Sequence, residues 1–393
     1  MPIGLYALAL AAFGIGLTEF GIVGLLPEIA KNFSVSESVA GYLVSVYALS
    51  VAVGAIGLTA LLIRMERRKV LMGLMALFII GNLMSANARS YDFLMFGRIV
   101  AALCHGAFFG LGAIVAAQMV GTGKQASAVA IMFAGLTVSN IFGVPLGTFL
   151  GLQLGWRATF WALAIIGIVT MAGIRLLVPT TPAPAEMNLP SEVGALLRPQ
   201  VWISATISML AFAGVIGAFT YIAFTITEVG GFTITAVPWL LVLFGIGTFI
   251  GNIVGGKAAD KLLNGTLAVV LALLAIVLCI FALTAEDKTM TVISLILMGA
   301  VGLATAPGLQ IRIMGYAPDA PTIASGLNIA AFNVGNALGA WLSGIALARG
   351  LGFTSPLWVG AGITVMALAV LLLGSYLNRG KRTLSDVNIG DVV

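Results

Sequence analysis

The chain of 393 residues is 60% hydrophobic and only 8% charged, with a formal net charge of +5. A soluble domain carries about 25% charged residues, so this composition excludes a soluble globular protein and is typical of a chain surrounded by lipid. The basic residues stand in short clusters between apolar runs, so we interpret them as a topology signal and exclude a nucleic-acid partner.

Twelve apolar runs follow one another along the chain, each near the length of about 20 residues that crosses a bilayer as a helix. We predict an all-α membrane protein whose twelve transmembrane helices, spans 1 to 12, form two pseudo-symmetric six-helix bundles. The bundles comprise residues 1–178 and 201–378, and a cytoplasmic tail, 379–393, follows. Residues 179–200 contain five prolines, which cannot continue a helix, so they are predicted to form a cytoplasmic linker.

The basic residues between the runs predict the orientation of the chain, because Lys and Arg concentrate in cytoplasmic loops. With the N-terminus inside, thirteen of them fall on the cytoplasmic side and five on the opposite side, while Arg98 lies within a span. Both termini are therefore predicted to be cytoplasmic. The first run lacks a preceding basic segment and a clear cleavage site, so we interpret it as a span rather than a signal peptide.

Span 1 contains Glu19, the only acidic residue well inside any span, and span 4 contains Arg98. A charge inside lipid costs about 2.5–3.5 kcal/mol even on lenient scales, so both are candidates for function. Both are expected roughly 8–10 Å below the outer surface, where they can meet. Burial favours a neutral carboxyl group and a nearby arginine favours the carboxylate, so Glu19 is our candidate for proton exchange. The alternative is a permanent ion pair that only stabilises helix packing.

Span 4 also contains His105, the only histidine of the chain, seven residues after Arg98. Seven residues are two helical turns, so the two side chains are predicted to share one face. An ordinary imidazole titrates near pH ~6.5, which suits a proton relay or a substrate contact. A hydrogen bond that holds a helix contact beside Gly106 is the alternative.

The two halves of the chain resemble each other. A V-x-N-x-x-G pattern at residues 138–143 of span 5 recurs at residues 334–339 of span 11, and Gly57 after span 2 corresponds to Gly256 after span 8. Parallel repeats of this kind predict a substrate site near the bilayer midplane, at the interface between the halves.

Glycines four residues apart, as in Gly106 and Gly110 or Gly143 and Gly147, predict close helix contacts in lipid. Pro145 between the second pair predicts a bend, because proline removes a backbone hydrogen bond. Helices that rock or bend during alternating access would use such faces.

These residues give the chain a resemblance to the major facilitator superfamily, and within it to the drug:proton antiporter group with twelve spans. The run Gly143-Val-Pro145-Leu-Gly147 is similar to the glycine–proline motif of the antiporters, and residues 105–110 and 332–339 look like the subgroup named for arabinose (sugar) efflux permeases. The resemblance covers nearly the whole chain. It implies proton-driven export, with sugars, drugs or nucleosides as the substrates of subgroup members.

Arg98 matches the arginine of the family's span 4 motif, although the family's glycine four residues later is Ala102 here. The resemblance implies that Arg98 tunes Glu19 or receives a polar or anionic group of the substrate. The alternative is that Arg98 satisfies backbone carbonyl groups.

The loop between spans 2 and 3 departs from the family pattern of glycine, three residues, aspartate and then basic residues. Leu61 stands at the aspartate position after Gly57, which puts the usual inter-helix charge latch in question. The basic residues remain, as Arg64, Arg67, Arg68 and Lys69. The copy in the second half keeps its acid, as Gly256-x-x-x-Asp260. We assign these positions to conformational switching.

Six further polar residues at span depth can hydrogen-bond a hydroxylated or heterocyclic substrate: Tyr47, Asn140, Tyr221, Asn328, Asn333 and Asn336. Each can equally bond a neighbouring helix, which is worth about 0.6 kcal/mol. Asn333 and Asn336 are the preferred candidates for lining a cavity.

We predict a proton-coupled exporter of a small organic molecule of the drug, sugar or nucleoside class, working by alternating access in the bacterial inner membrane. Its partners would be the substrate, protons and the lipid bilayer, and a monomer is expected. The chain has one histidine, no phosphate-binding GxxxxGK[ST] loop and no Cys/His cluster, so no cofactor, metal or enzymatic activity is expected.

Two alternatives remain for the function. The first is a proton- or cation-coupled importer on the same fold, which the antiporter-like motif disfavours. The second is a non-transporting membrane sensor, disfavoured because the soluble segments are too short for a signalling domain.

Overall fold

The computed structural model describes residues 1–62, 65–120, 125–180, 198–259, 261–318 and 320–377. Within them all regular secondary structure is helical, and twelve helices are long and apolar enough to cross a membrane. The prediction of an all-α protein with twelve spans is confirmed. The linker and tail lie largely outside the described residues, so their predicted boundaries stay predictions.

The chain divides into two compact units. Unit 1 comprises Met1–Ala185 with Ile222–Thr227 and Phe232–Val242, and unit 2 comprises Glu186–Tyr221, Glu228–Gly231 and Leu243–Val393. Each unit therefore holds most of one half of the chain, and short segments of spans 7 and 8 belong to unit 1.

Four spans of unit 1 are single helices, spans 2, 3, 4 and 6: Glu37–Leu62, Arg67–Ala86, Tyr91–Gln118 and Trp156–Leu177. Span 1 is broken into a helix Gly4–Phe20, a 3₁₀ turn Val23–Leu25 and a helix Leu26–Phe33. The second of these helices has a proline in its first turn, a position where the missing N–H costs nothing. The break leaves Glu19 next to the end of the first helix.

Span 5 contains a π-helical turn, Ser139–Gly143, between the helices Gln125–Val138 and Val144–Leu154. The N–H of Val144 bonds to the carbonyl of Ser139 five residues earlier, and Pro145 lies in the first turn of the following helix. A proline removes one helical hydrogen bond, and a widened turn is one way in which a helix accommodates that loss. The irregularity expected at Pro145 therefore takes the form of a π turn directly before it.

The second half follows the same plan. Spans 7, 9, 11 and 12 are formed by the helices Pro199–Thr220, Leu263–Thr284, Pro321–Ala348 and Ser355–Leu377. Span 7 continues into a short helix, Ile222–Phe224, and a π turn, Thr225–Val229, while span 8 is a 3₁₀ turn, Ile234–Ala236, followed by Val237–Ala259. Span 10 consists of Lys288–Leu303 and Thr305–Gly315.

The two units repeat one set of helix contacts. In unit 1, span 1 packs on spans 5 and 6, span 3 on spans 4 and 6, and span 2 on span 4. In unit 2, span 7 packs on spans 11 and 12, span 9 on spans 10 and 12, and span 8 on span 10. Adding six to each span number of the first set produces the second set, which is the structural counterpart of the sequence repeat.

Glycines set the closest of these contacts. A Cβ built on Gly251 of span 8 would lie 1.8 Å from the carbonyl oxygen of Ala300 in span 10, and one on Gly106 of span 4 would lie 2.2 Å from the Cβ of Ala55 in span 2. Such approaches are open only to small residues, which gain packing between helices in lipid. Gly110 differs from the expectation, because a Cβ there would meet no atom of the described residues within 4 Å.

Candidate functional site

Unit 1 contains a cluster of buried ionisable and polar side chains, which we call the span 1–2–4 cluster: Glu19, Tyr47, Arg98 and His105. Their exposed fractions are 8%, 1%, 0% and 6% in that order. Glu19 is the only buried acidic residue in the part of the chain that the structure describes. The cluster therefore brings together the three predicted proton-coupling residues and one predicted substrate contact.

Arg98 is held by neutral groups. Its Nη1 donates to the carbonyl oxygen of Thr18, and its Cζ lies 4.0 Å from the centroid of the Tyr47 ring. The Thr18 carbonyl belongs to the last turn of the first helix of span 1, and a cation is favourable at a helix C-terminus. The Nε and Nη2 atoms of Arg98 have no hydrogen-bond partner among the described residues.

The sequence around Arg98 explains its direction. Gly97 packs on span 3, where its Cβ would lie 2.7 Å from the Ser85 hydroxyl, and Ala101 packs on Gly81 of the same span. The small residues of span 4 thus occupy the side that contacts span 3, and Arg98 is left facing spans 1 and 2.

His105 lies beside Glu19. Its Nε2 is 3.8 Å from Oε2 of Glu19. The two side chains form an ion pair only when the imidazole is protonated. The ring centroid is 5.2 Å from that of Phe109 and 6.2 Å from that of Tyr47. The seven-residue spacing in span 4 thus places Arg98 and His105 against the adjacent residues Thr18 and Glu19.

The cluster is also electrostatically connected. Glu19 and Tyr47 both interact with the charge of Arg98, and Tyr47 interacts with Arg98, Cys104 and Glu19. With Glu19 ionised, its negative charge and the positive charge of Arg98 sum to zero. With Glu19 protonated, the cluster has a net positive charge that the Tyr47 ring and the Thr18 carbonyl still stabilise.

The predicted substrate contacts are divided between the units. In unit 1, Tyr47 Oη and Asn140 Oδ1 are buried atoms without a hydrogen-bond partner in the described parts of the chain. In unit 2, Tyr221 donates to the carbonyl of Ala340 at 3.3 Å, and Asn333 donates to the carbonyl of Ile329 at 2.9 Å. Asn336 is 3% exposed.

Asn328 belongs to a hydrogen-bond network that the sequence analysis did not anticipate. The Ser208 hydroxyl of span 7 donates to Asn328 Oδ1 at 2.6 Å, and Asn328 Nδ2 donates to Gln310 Oε1 of span 10 at 2.7 Å. Gln310 Nε2 in turn donates to the Ser325 hydroxyl at 2.7 Å. The sequence feature that could have indicated this network is Gln310, a polar residue inside an apolar run. The network stabilises contacts among spans 7, 10 and 11 of unit 2.

The loop motif after span 2 is described only in part, because Arg64 and Asp260 lie outside the described residues. Arg67 is 2% exposed, and Arg68 donates through Nη1 to the carbonyl of Val178 at 3.4 Å. Glu66 is an acid outside the family pattern of this loop. Its carboxylate lies 3.0 Å from the ammonium group of Lys69 and 3.9 Å from Nε of Arg68. An acid is therefore present beside the basic residues, five positions after Leu61.

The glycine–proline segment of span 5 packs on the helix that contains Glu19. A Cβ on Gly143 would lie 3.0 Å from the Phe13 ring, and one on Gly147 would lie 2.9 Å from Leu17 Cδ1. The two loop-motif glycines differ from them. A Cβ on Gly57 would meet nothing within 4 Å in the described part of the chain, and one on Gly256 would make an ordinary contact with Pro307 at 3.7 Å.

Twelve spans, a repeated set of helix contacts in two units and a buried acid–base cluster define a polytopic transporter. The family model described as the Major Facilitator Superfamily matches residues 8–320 and 201–386. The chain belongs to this superfamily, as its resemblance implied.

Known relatives agree with this class. The chain is 43% identical over 371 residues to the inner membrane transport protein YdhP of Escherichia coli (strain K12), covering 94% of this chain and 95% of that protein. It is 33% identical over 374 residues to a chloramphenicol resistance protein of Streptomyces lividans, covering 94% and 95%. The first relative is an inner membrane transport protein and the second is a resistance protein. The family and the twelve spans make this chain a multi-pass membrane transporter.

A solved structure shares the fold. A bacterial homologue of the human lysosomal transporter Spinster, in an inward-facing and unoccupied conformation, superposes with a TM-score of 0.71 and covers 99% of this chain and 98% of that one. The sequence identity is 18%, so this likeness shows the fold alone.

Proposed function

We propose that the chain exports a small organic molecule from the cytoplasm in exchange for protons, by alternating access. The observation that supports this most is the contact of the buried Glu19 with His105, within electrostatic range of Arg98. Proton exchange needs a titratable group inside the membrane domain, and ionisable residues at this depth are usually functional.

The partners of Arg98 favour proton exchange over a permanent ion pair. An arginine that depended on Glu19 alone would become an unpaired buried charge when the carboxylate is protonated, at a cost of several kcal/mol. Here the Thr18 carbonyl and the Tyr47 ring hold the guanidinium in either state of Glu19. Glu19 can therefore gain and lose a proton without dismantling the cluster.

The contact between spans 1 and 5 supports coupling to movement. Gly143 and Gly147 pack directly on the helix that contains Glu19, next to the π turn before Pro145. Irregular turns in helices often coincide with functional sites and allow a helix to change its packing. A proton bound at Glu19 would thus alter the helix on which the antiporter-like segment rests.

The relatives indicate what to test as substrate. One of them is a chloramphenicol resistance protein, which favours export of drug-like molecules over import. We also propose residence in the bacterial inner membrane with both termini in the cytoplasm, because the loops assigned to that side hold the excess of basic residues.

The test is substrate-induced collapse of an inward-acidic pH gradient in everted membrane vesicles. Sugars, nucleosides and drugs including chloramphenicol are added to vesicles with the wild-type chain, with Glu19→Gln and with the control Glu28→Gln. Glu28 lies in the same span but is half-buried, outside the cluster. We expect at least one compound to dissipate the gradient with the wild type and the control and to have no effect with Glu19→Gln.

Two results would contradict the proposal. Equal gradient collapse with Glu19→Gln would make Glu19 a structural residue. A compound that moves protons only in right-side-out vesicles, entering together with them, would indicate an importer.

A further inference from the structure

We propose that unit 2 binds the phosphate group of an anionic phospholipid at the start of span 9, on the side of the membrane predicted to face the cytoplasm. The site consists of the buried guanidinium of Arg312 in span 10, the first turn of the helix Leu263–Thr284 and the exposed side chain of Lys261. It shares no residue with the span 1–2–4 cluster and goes beyond the proposed exchange of protons.

Arg312 is a buried cation with an unfilled pair of donors. It is 0% exposed and lies in the last turn of the helix Thr305–Gly315. Its Nη1 donates to Asn264 Oδ1, while its Nε and Nη2 have no hydrogen-bond partner among the described residues. These two N–H groups form one edge of the guanidinium, which matches two oxygens of a phosphate or carboxylate group. Because a buried charge is costly unless it is paired, we expect an anion at this edge.

The start of span 9 supplies backbone donors at the same place. Leu262 precedes the helix Leu263–Thr284, and its side chain makes no capping hydrogen bond. The first N–H groups of a helix have no acceptor within the helix and carry a partial positive charge, so they favour an anion. Asn264, which accepts from Arg312, is the second residue of this helix. That hydrogen bond therefore brings a buried cation to an uncapped helix start.

The described charges near this helix start are positive. From the last turn of span 8 to the first turn of span 9 they are Lys257 and Lys261, both exposed. The acidic residues described in unit 2 are Glu228, Glu286 and Asp287, which lie beyond the opposite ends of spans 8 and 9. Span 9 has 22 residues, so its two ends are about 30 Å apart. The described acids therefore leave the positive charge at this end of unit 2 unbalanced.

The surroundings favour a lipid phosphate over a soluble anion. A Cβ on Gly374 of span 12 would lie 3.8 Å from Nη2 of Arg312, so the ends of three spans meet at the guanidinium. Leu262 and Tyr376, at the same ends of spans 9 and 12, are 67% and 66% exposed, and acyl chains can lie against such residues. Asn264 is half-buried, which links the buried guanidinium to the surface. Basic pockets between transmembrane helices on the cytoplasmic side bind anionic lipid headgroups.

Two acidic residues of the chain are intramolecular competitors for the same edge of Arg312. Asp260 precedes span 9 and Asp319 precedes span 11 in the sequence, and both lie outside the described residues. A carboxylate has the same two-oxygen geometry as a phosphate. The variants Asp260→Asn and Asp319→Asn therefore belong to the test.

The test measures lipid binding to the purified full chain in detergent, by energy transfer from its tryptophans to pyrene-labelled phosphatidylglycerol. Unlabelled phosphatidylglycerol, phosphatidylethanolamine and inorganic phosphate are the competitors. Arg312→Gln removes the buried cation, and Lys261→Gln changes an exposed residue at the rim of the site. The matched control is Arg349→Gln, which makes the same change of charge at an exposed position of unit 2 after span 11.

We expect the wild type to bind phosphatidylglycerol about tenfold more tightly than phosphatidylethanolamine, whose ammonium group is repelled by the basic site. Arg312→Gln should weaken the binding of phosphatidylglycerol at least about tenfold, through the loss of charged hydrogen bonds. Lys261→Gln should weaken it about fivefold, and Arg349→Gln should leave it unchanged. Inorganic phosphate should not displace the lipid, because it lacks the acyl chains.

Four outcomes would overturn the proposal. They are equal affinity for the two lipids, displacement of the lipid by inorganic phosphate, binding that neither Arg312→Gln nor Lys261→Gln weakens, and selectivity that appears only in Asp260→Asn or Asp319→Asn. The last outcome would show that a carboxylate of the chain fills the edge of Arg312. Lys261→Gln decides the question even if Arg312→Gln does not fold, because Lys261 is exposed.

Discussion

The guanidinium of Arg98 lies over the ring of Tyr47, with 4.0 Å between Cζ and the ring centroid. The residues belong to spans 4 and 2, and both are at most 1% exposed. Desolvated cation–π contacts contribute about 2 kcal/mol, and this one holds a charge inside the membrane domain without using the carboxylate of Glu19. Under the proposed function, this contact leaves Glu19 available to exchange a proton.

Substitution of Tyr47 separates the ring from its hydroxyl. Tyr47→Phe keeps the ring and should leave the melting temperature of the purified protein unchanged, because the hydroxyl has no partner among the described residues. Tyr47→Leu removes the ring and should lower the free energy of unfolding by about 2 kcal/mol. Thermal unfolding in detergent measures both. If the two variants melt at the same temperature, the ring does not stabilise Arg98.

The same pair of variants tests the substrate contact of Tyr47. Loss of the hydroxyl in Tyr47→Phe should raise the KM for a hydroxylated substrate several-fold, because the substrate then loses its hydrogen bond to that hydroxyl. An unchanged KM would remove Tyr47 from the set of substrate contacts.

The contact between spans 8 and 10 predicts a strong effect of a single methyl group. Gly251→Ala would place a Cβ 1.8 Å from the carbonyl oxygen of Ala300, and overpacking costs about 1–3 kcal/mol. Gly362→Ala is the matched control in span 12, because a Cβ there would lie within 4 Å of no other atom in the ranges that the structure describes. We expect a clearly lower melting temperature for Gly251→Ala and an equal or higher one for the control. Equal melting of the two variants would contradict the close approach.

The amide network of unit 2 predicts non-additive effects. Asn328→Ala would remove the partner of the Ser208 hydroxyl and of Gln310 Oε1, at a cost of about 1–3 kcal/mol. Combined with Ser208→Ala, it should cost less than the sum of the single changes, with a coupling of about 0.6–1.7 kcal/mol. A double-mutant cycle on unfolding free energies measures this coupling. Strict additivity would show that the 2.6 Å contact contributes nothing.

The hydrogen bonds of Arg157 predict that lysine at this position, near the start of span 6, makes the protein less stable than arginine does. Its Nε and Nη2 donate to the carbonyl of Ala88 at 3.2 and 2.7 Å, and its Nη1 donates to Asn32 Oδ1 at 3.3 Å. Lysine cannot reproduce this fork, so Arg157→Lys should lower stability by about 1–2 kcal/mol. Arg89→Lys is the control, because Arg89 is exposed. Equal unfolding temperatures for the two variants would contradict the role of the fork.

Side-chain type and spacing predict part of the candidate site. Glu19, Arg98 and His105 are identifiable in the sequence because charged and titratable residues are rare inside apolar runs. Their spacing also predicts that Arg98 and His105 share a face. The neutral partners of Arg98 are not predictable in this way, because a backbone carbonyl such as that of Thr18 has no signature in the sequence.

Polar residues are less informative than charges. Asn328 was a candidate substrate contact by residue type, yet the structure engages its amide with Ser208 and Gln310. Gly110 fitted a pattern of close helix contact, but a Cβ there would touch none of the described residues within 4 Å. Both outcomes depend on the rotation of a helix about its axis, which a four-residue period leaves undetermined.

The sequence by itself determined the fold class, the number of spans and the family, because lipid imposes a length and a polarity on every crossing helix and these are properties of contiguous residues. Only the tertiary structure decided which partner holds Arg98, which glycines meet a backbone and which amides bond each other. Those contacts join residues far apart in the chain, such as Thr18 and Arg98, and depend on the register and rotation with which helices pack.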